Sequence, residues 1–476
     1  MFDLSTGLFI LLIICLLAAC VFEFINGFHD TANAVATVIY THSLKPQVAV
    51  IWSGIWNFIG VYFGGIAVAM GIINLLPLEA LIDQNVYHNV AMILSLILTA
   101  VIWNLGTWYF GIPCSSYHTL IGSIFGVEIA FMFINPDGNI ALNWGKVADA
   151  GLSLLISPII GFVLAIMLMW VFKKILRKPK FFKEPPKDKA PPFWIRGILI
   201  LTSTTVSFSH GSNDGQKGVG LVMIILIGLL PAYFALDPNR NPMSLEGNLK
   251  VIEYYVDKMD TSKMGPKNLE RYNLTQANID SLKKILQSSS IPEGISKELK
   301  FEIRRHILTI ASHVGKIMKS DEFSEYNIMP ITDKEAGKLN LNMKEMRSYT
   351  EFAPWYVILM ISISLGLGTM VGWKRIVVTI GEKIGKTHLT YAQGASTQII
   401  ATSTISISTA LGLPVSTTHV LSSGVAGSMV SEGGVKNLQF KTIKNILIAW
   451  GVTIPVTIVL ACALFLGSRW IFGFFI

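Results

Sequence analysis

Residues 111–126 read GIPCSSYHTLIGSIFG, and residues 412–427 read GLPVSTTHVLSSGVAG. The two stretches are identical at six of their sixteen positions. The identical residues include three pairs with recognisable chemistry: Pro113/Pro414, Ser115/Ser416 and His118/His419. A proline, a run of hydroxyls and a histidine in the same order indicate an internal repeat.

A second, weaker pair lies upstream of the first. FINGFHDTANAV at residues 24–35 aligns with FSHGSNDGQKGV at residues 208–219, with four identities of twelve that include Asp30/Asp214. The upstream pair is offset by 184 residues and the downstream pair by 301, a difference of 117. One insertion into the second copy reconciles the two offsets.

The composition places the repeat in a membrane. Of 476 residues, 52% are hydrophobic and only 14% are charged, whereas a soluble chain has about a quarter charged residues. Long apolar runs of this kind are typical of a polytopic, all-α membrane protein. The four cysteines lack metal-ligand spacing, which excludes a zinc module and a disulfide framework.

Charge is concentrated in two segments. Residues 236–350 hold 34 of the 68 charged side chains, and residues 173–196 hold nine basic residues among five prolines. We interpret the second segment as a basic linker, cytoplasmic by the positive-inside rule. The predicted division is a transmembrane repeat 1 at 1–172, the linker at 173–196, the start of transmembrane repeat 2 at 197–235, a polar helical insert at 236–350 and the rest of repeat 2 at 351–476.

The termini of the first copy predict its orientation. No Lys or Arg precedes Lys45, and the first apolar run begins near Gly7, so we expect a retained span with the N-terminus outside. We count six apolar stretches before the linker, at 7–26, 31–40, 46–76, 88–110, 113–134 and 147–172. Several are too short or too broken by polar residues to cross alone, so we expect five crossings. An odd number makes the second copy inverted, with about ten crossings, broken helices and re-entrant hairpins. This is the arrangement of secondary transporters, whose sites lie near the midplane.

Asp30 and Asp214 lie inside otherwise apolar stretches. A carboxylate there costs at least about 2.5–3.5 kcal/mol, so it needs a partner or a function. With Asn26, Asn33 and Asn213 beside them, we expect two unwound segments that hold a small cation or a proton. The alternative is that each aspartate only caps a half-helix.

The hydroxyls of the downstream pair predict an anion site. Ser115, Ser116, Ser416, Thr417 and Thr418 follow a helix-stopping Gly-x-Pro. Hydroxyls and free amides at a helix N-terminus bind anions, and the helix dipole adds to this. Two such termini would fit a tetrahedral oxyanion; ordinary helix capping is the alternative.

Several other polar residues have supporting roles in this interpretation. His118 and His419 orient the hydroxyls or relay a proton, or else are satisfied interior histidines. His29 and Lys217 flank the aspartates, and Lys217 pairs with a carboxylate, binds substrate or reaches an interface. Gln216 is an interhelical hydrogen-bonder.

Two more carboxyls, Glu23 and Glu128, interrupt apolar runs and could help to move a proton. Within the insert, helical runs at 280–287 and 296–310 are expected, with Asp280 and Ser296 as N-caps. We expect the insert to be periplasmic and to act as a cap, a lid or an assembly surface.

Other classes of protein are disfavoured. A membrane-embedded hydrolase built on Ser115 or Ser416 would need one polarised site rather than two copies, and the chain has no G-x-S-x-G or H-E-x-x-H motif. A receptor would leave the paired carboxylates without a role. A P-loop is missing from the sequence, which disfavours an ATP-driven pump. There is no basic stripe for nucleic acid.

Gly27–Ala34 and Gly211–Gly218, with the two hydroxyl–histidine elements, resemble the inorganic phosphate transporter (PiT) family, whose twin signature is G-A-N-D-V-A-N-A. The chain is most similar to the bacterial low-affinity Pit type. The resemblance implies phosphate symport across the bacterial cytoplasmic (inner) membrane, with the aspartates at the cation-coupling positions and the hydroxyls on the phosphate. It implies no enzyme activity and no tightly bound cofactor.

The chain departs from this signature at Phe28-His29 and at Gly215-Gln216-Lys217-Gly218. The bacterial Pit type with these variants is associated with proton coupling and a neutral metal–hydrogenphosphate substrate, so Asp30 and Asp214 are also candidate ligands of magnesium or another divalent metal. Sodium coupling and a different oxyanion such as sulfate stay open. The expected partners are phosphate, a divalent metal ion and the lipid bilayer; a homodimer is an open alternative.

Overall fold

A computed structural model describes residues 4–75, 86–134, 144–176, 178–186, 189–288, 296–413 and 415–472. These residues form helices and no strand, apart from a single bridge between Gly385 and Leu438. Pro414, one of the repeated prolines, lies outside the described residues. The chain divides into two compact units, one made of 3–225 with 353–476 and the other of 226–352.

The first unit contains the apolar helices. They are α1 (Thr6–Tyr40), α2 (Pro46–Phe63), α3 (Ala67–Ile73), α4 (Val86–Tyr109), α5 (Ser116–Ile134), α6 (Trp144–Ile175), α7 (Phe193–Leu229, which runs into the second unit), α14 (Trp355–Thr369), α15 (Lys374–Val378), α16 (Tyr391–Ala410), α17 (Thr417–Gly433) and α18 (Phe440–Phe472).

The expected unwound segments at Asp30 and Asp214 are not present. Both residues lie inside unbroken helices, α1 of 35 residues and α7 of 37. The stretches 7–26 and 31–40, counted as separate, are one helix. The chain has no need to unwind at either carboxylate because side chains of a third helix, α17, hydrogen-bond to both.

Helices are broken elsewhere. α2 and α3 meet at 74° around Gly65, whose φ of +82° favours glycine, and α14 meets α15 and its following π-helical turn at 56° near Gly372. At the first break, Gln216 of α7 donates to the Gly64 carbonyl at 2.8 Å and accepts from the Val68 amide at 2.7 Å. One side chain therefore satisfies backbone groups on both sides of the bend.

Five described helices are long and apolar enough to span a membrane, or up to seven if each bent pair is one span: the five are Thr6–Tyr40, Tyr87–Tyr109, Ser116–Ile134, Gly151–Ile175 and Phe440–Ile471. α7 falls outside this count because polar side chains, Asp214 and Lys217 among them, run through its centre. The number of ten crossings, the inversion of the second copy and the boundaries of the five predicted segments stay predictions.

The second unit has its own apolar core. Its helices are α8 (Pro231–Phe234), α9 (Leu245–Val256), α10 (Pro266–Ser288), α11 (Lys297–Met318), α12 (Asp321–Glu325) and α13 (Asp333–Arg347). Ser296 caps α11 as predicted, accepting from the Leu299 amide. The prediction for Asp280 is wrong, because α10 already starts at Pro266, a residue suited to the first turn of a helix.

Arg304 closes this unit from inside. Its side chain is buried and donates to the carbonyls of Ala235 and Thr350, the two ends of the segment. Burial lowers the pKa of Arg304 to about 10, so the guanidinium stays charged at neutral pH while it holds the ends together.

Candidate functional site

Asp30, His210 and Asp214 form a buried group at the meeting of α1 and α7. One ligand atom from each lies within 4.8 Å of the other two, and none of the three is more than 2% exposed. His210 Nε2 is 3.2 Å from Asp214 Oδ2 and 3.6 Å from Asp30 Oδ2. Two carboxylates and an imidazole at this spacing can hold a metal ion.

The imidazole is oriented from behind. His210 and Asp214 are four residues apart on α7, so they share one face of the helix. Asn57 of α2 lies 2.8 Å from His210 Nδ1 through its side-chain oxygen, which leaves Nε2 turned toward the carboxylates. A Cβ on Gly211 would overlap the Asn57 carbonyl, so glycine permits the close approach of α2 that makes this contact.

Asp30 receives hydrogen bonds from two helices. Its Oδ1 accepts from the Thr418 hydroxyl at 2.7 Å and from the Asn33 amide at 3.3 Å, and lies 3.3 Å from His29 Nδ1. His29 continues through Nε2 to Thr107 on α4, at 3.3 Å. The second oxygen, Oδ2, accepts no hydrogen bond among the described residues and faces His210.

Asp214 is bound more tightly. Its Oδ1 accepts from the Lys217 ammonium at 2.6 Å, and its Oδ2 accepts from the Thr417 hydroxyl at 3.1 Å. Lys217 is 1% exposed and also lies 5.6 Å from the centre of the Tyr117 ring. Of the three roles predicted for Lys217, the structure shows the pairing with a carboxylate.

The N-termini of α5 and α17 have the same local geometry. Ser115 Oγ accepts from the His118 amide at 3.3 Å, and Ser416 Oγ accepts from the His419 amide at 3.1 Å. Each first serine is therefore an N-cap, the alternative kept open above. The following residues are different: Thr417 and Thr418 reach the aspartates, and the buried Ser116 hydroxyl has no hydrogen-bond partner in the described structure.

The two repeated histidines meet. The His118 and His419 rings stack with centres 4.9 Å apart, and His419 stacks in turn on Trp450 at 4.0 Å. Since each histidine follows its N-cap by three residues, the stack joins the first turns of α5 and α17. The downstream repeat thus brings two helix N-termini together beside the carboxylates.

Comparison with known proteins shows the family to which the chain belongs. The model of the phosphate transporter family matches residues 26–461. The chain belongs to this family. It is 41% identical to the low-affinity inorganic phosphate transporter of Buchnera aphidicola from Acyrthosiphon pisum, and 39% identical to the low-affinity inorganic phosphate transporter PitA of Escherichia coli K12; each alignment covers 97% of both chains.

A solved structure shares the fold. The sodium-dependent phosphate transporter superposes with a TM-score of 0.53 over 97% of this chain and 99% of that one, at 18% identity. The expected family, an all-helical transporter rather than an enzyme, is therefore confirmed, as is a multi-pass membrane protein similar to the bacterial Pit proteins.

Three of the expected site residues form hydrogen bonds with groups other than the two aspartates. The Asn26 amide donates to Glu23, and the Asn213 amide donates to Thr409 at 2.9 Å. Gln216 serves the break between α2 and α3. These residues support the helices around the site, and their side-chain amides do not contact the two aspartates in the described structure.

His210 is the site residue that the sequence reasoning missed. It aligns with Asn26 in the first copy, so the repeat itself does not indicate a histidine at this position. The signal was available: a histidine four residues before Asp214 in a helical stretch lies on the same face as the carboxylate.

Proposed function

We propose that this chain imports inorganic phosphate by proton symport across the cytoplasmic membrane, carrying it as a neutral complex of a divalent metal and hydrogenphosphate. The observation that carries the proposal is the buried Asp30–His210–Asp214 group placed beside two joined helix N-termini. A cation site next to an anion site is what a metal–phosphate pair requires.

The metal would bind at the carboxylate face. Asp30 Oδ2 accepts no hydrogen bond among the described residues, and His210 Nε2 lies between it and Asp214 Oδ2. Carboxylate oxygens suit magnesium and manganese, and an imidazole is tolerated by manganese, iron or zinc. Phosphate oxygens would supply further ligands, as magnesium sites that share substrate phosphates do.

The phosphate would bind at the helix ends. The first-turn amides of α5 and α17 and the Ser116 hydroxyl are donors, and an N-terminal dipole favours an anion. Thr417 and Thr418 hold the aspartates from the same turn. They would therefore fix the position of the anion relative to the cation.

Charge counting supports a neutral substrate. The carboxylates of Asp30 and Asp214 and the ammonium of Lys217 together carry one net negative charge in a buried group. A hydrogenphosphate dianion alone would raise this to three, and a divalent metal would return it to one. Burying unbalanced charge is costly, so the metal lowers the free energy of entry.

Lys217 supports protons over sodium in the second copy. Its ammonium stands 2.6 Å from Asp214 Oδ1 and takes the place of a sodium ion that would bind to that oxygen. Sodium is the second candidate because the hydrogen bonds to Asp30, in the first copy, come from neutral groups, the Thr418 hydroxyl and the Asn33 amide.

The decisive experiment is uptake of radiolabelled phosphate into proteoliposomes. An imposed pH gradient is compared with an imposed sodium gradient, each with and without magnesium. We expect uptake only with the pH gradient and magnesium together. Uptake driven by sodium at equal pH would overturn proton coupling, uptake without metal would overturn the complex, and failure under every gradient would direct the assay to sulfate.

A further inference from the structure

Glu23 is a buried carboxyl that the proposed site does not use. It lies on α1 seven residues before Asp30, close to two full turns, so it shares that face of the helix. Its side chain is 0% exposed. Oxygen Oε2 is 2.5 Å from the position that a Cβ on Gly218 would take.

The contact with Gly218 places the carboxyl on the working part of α7. Gly218 is one turn beyond Asp214 and adjacent to Lys217. The aligned residue in the first copy is Ala34, and a methyl group at 218 would collide with the carboxyl. Glycine at this position therefore admits Glu23 against the helix that carries the substrate-site charges.

The carboxyl is poorly satisfied as an anion. Its Oε1 accepts one hydrogen bond, from the Asn26 amide at 3.1 Å, and its Oε2 has no hydrogen-bond partner in the described residues. Lys217, the cation of the neighbouring turn, donates to Asp214 instead. An ionised buried carboxylate needs a counter-charge or several donors, so this conformation favours the protonated form.

The charged groups around Glu23 come from one side only. α7 contributes His210, Asp214 and Lys217, whereas α14 (Trp355–Thr369) contributes a contact from Ile361 and no Asp, Glu, Lys, Arg or His. On α1 itself the neighbour one turn away is Cys20. An ionised Glu23 would therefore add a negative charge beside the charged groups of α7.

We propose that Glu23 carries the co-transported proton. The same packing of α1 against α7 that brings Asp30 to His210 and Asp214 also buries Glu23 against Gly218. Substrate that binds across the two helices stabilises this packing, and the packing favours a protonated Glu23, so by linkage a proton on Glu23 raises the affinity for the substrate. Proton and phosphate then bind and leave together, which is symport. This inference rests on the proton coupling proposed above.

The test is Glu23→Gln, which copies the shape and neutrality of the protonated form. Reconstituted protein is assayed for two activities: accumulation of phosphate driven by a pH gradient, and exchange of labelled for unlabelled phosphate at equal pH. We expect the variant to lose accumulation and keep exchange, because exchange needs no net proton movement. Phosphate-induced proton uptake in unbuffered detergent solution, which we expect for wild type, should also be lost.

Glu432→Gln is the matched control, since Glu432 is a half-buried carboxyl near the C-terminal end of α17, accepts a hydrogen bond from Gln393 and should keep accumulation. If Glu23→Gln accumulates phosphate like wild type, the inference is overturned. If the pH gradient does not drive phosphate accumulation by wild type, the proposed proton coupling is wrong, and so is the inference that rests on it. Should Glu23→Gln not reach the membrane, Glu23→Asp retains a titratable group and must retain accumulation with a shifted pH profile; an unshifted profile counts against Glu23.

Discussion

At the scale of single residues, the two repeated aspartates have become unequal. Asp214 forms an ion pair with Lys217. Asp30 instead accepts from neutral donors, and one of its oxygens accepts no hydrogen bond in the described structure. The position aligned with Lys217 in the first copy is Asn33. The aligned positions of the two copies thus supply a neutral amide to Asp30 and a positive charge to Asp214. This asymmetry predicts different consequences for Asp30→Asn and Asp214→Asn.

Asp30→Asn should abolish coupled uptake while the protein stays folded, because the amide keeps the size and the hydrogen bonds with Thr418 and Asn33 can rearrange. Asp214→Asn should also abolish uptake but lower the melting temperature as well, since an unpaired buried Lys217 costs about 3–5 kcal/mol. Asp214→Asn combined with Lys217→Met should restore the melting temperature without restoring uptake. Uptake assays and thermal melting in detergent measure the two effects, and normal uptake by both single variants would contradict the site.

Thr417→Val and Thr418→Val remove one hydroxyl each while keeping the branched shape. A hydrogen bond to a charged group contributes about 1.5–3 kcal/mol, so each change should raise the apparent KM for phosphate by roughly tenfold or more. Ser431→Ala is the control, because the Ser431 hydroxyl lies on the same helix and donates to the Ser428 carbonyl. An unchanged KM in both threonine variants would argue against the hydroxyls as part of the site.

At the scale of secondary structure, the break between α2 and α3 is stabilised by a side chain of α7. Gln216 satisfies the Gly64 carbonyl and the Val68 amide on the two sides of a 74° bend. The same helix holds His210 and Asp214 two turns or less away. The shape of the bend and the position of the Asp30–His210–Asp214 group are therefore linked through one helix.

Gln216→Leu should lower thermal stability more than it lowers the affinity for phosphate. The buried Val68 amide and the partly buried Gly64 carbonyl would each lose a partner, at a cost of up to about 1–3 kcal/mol each. Thr204→Val is a suitable comparison, because it removes a hydroxyl outside the break that accepts from Trp52 of α2 and donates to the Ile200 carbonyl. Equal melting temperatures for the two variants would show that the bend does not depend on Gln216.

At the scale of the whole molecule, each of the two units has its own core, and the second is built from charged amphipathic helices. Arg304 joins its two ends from within. An insertion whose ends are close together can be accepted by a host repeat without disturbing the order of the host helices.

The proposed sidedness can be tested with introduced cysteines. Lys250→Cys, in the insert, should react with a membrane-impermeant maleimide in intact cells, because Lys250 is well exposed and the insert is proposed to be periplasmic. Lys183→Cys, in the basic linker, should react only after permeabilisation. The reverse labelling pattern would show that the predicted topology is inverted, including the predicted outside location of the N-terminus.

The sequence by itself determined the class of protein, the all-helical fold, the two aspartates and the hydroxyl-rich helix starts, since apolar length, repeated order and capping chemistry are local properties. It placed Ser115 and Ser416 next to their helices and left capping open as a role, because an N-cap depends on the next three residues.

Only the tertiary structure decided how these parts meet. Asp30 and Asp214 are 184 residues apart, and the close packing of α1, α2 and α7 brings His210 between their carboxylates. The same packing pairs Lys217 with Asp214, turns Asn26 toward Glu23 and lets α1 and α7 stay unbroken. The physical reason is that a local pattern shows which residues share a helix face, whereas the partner of that face depends on contacts between distant segments.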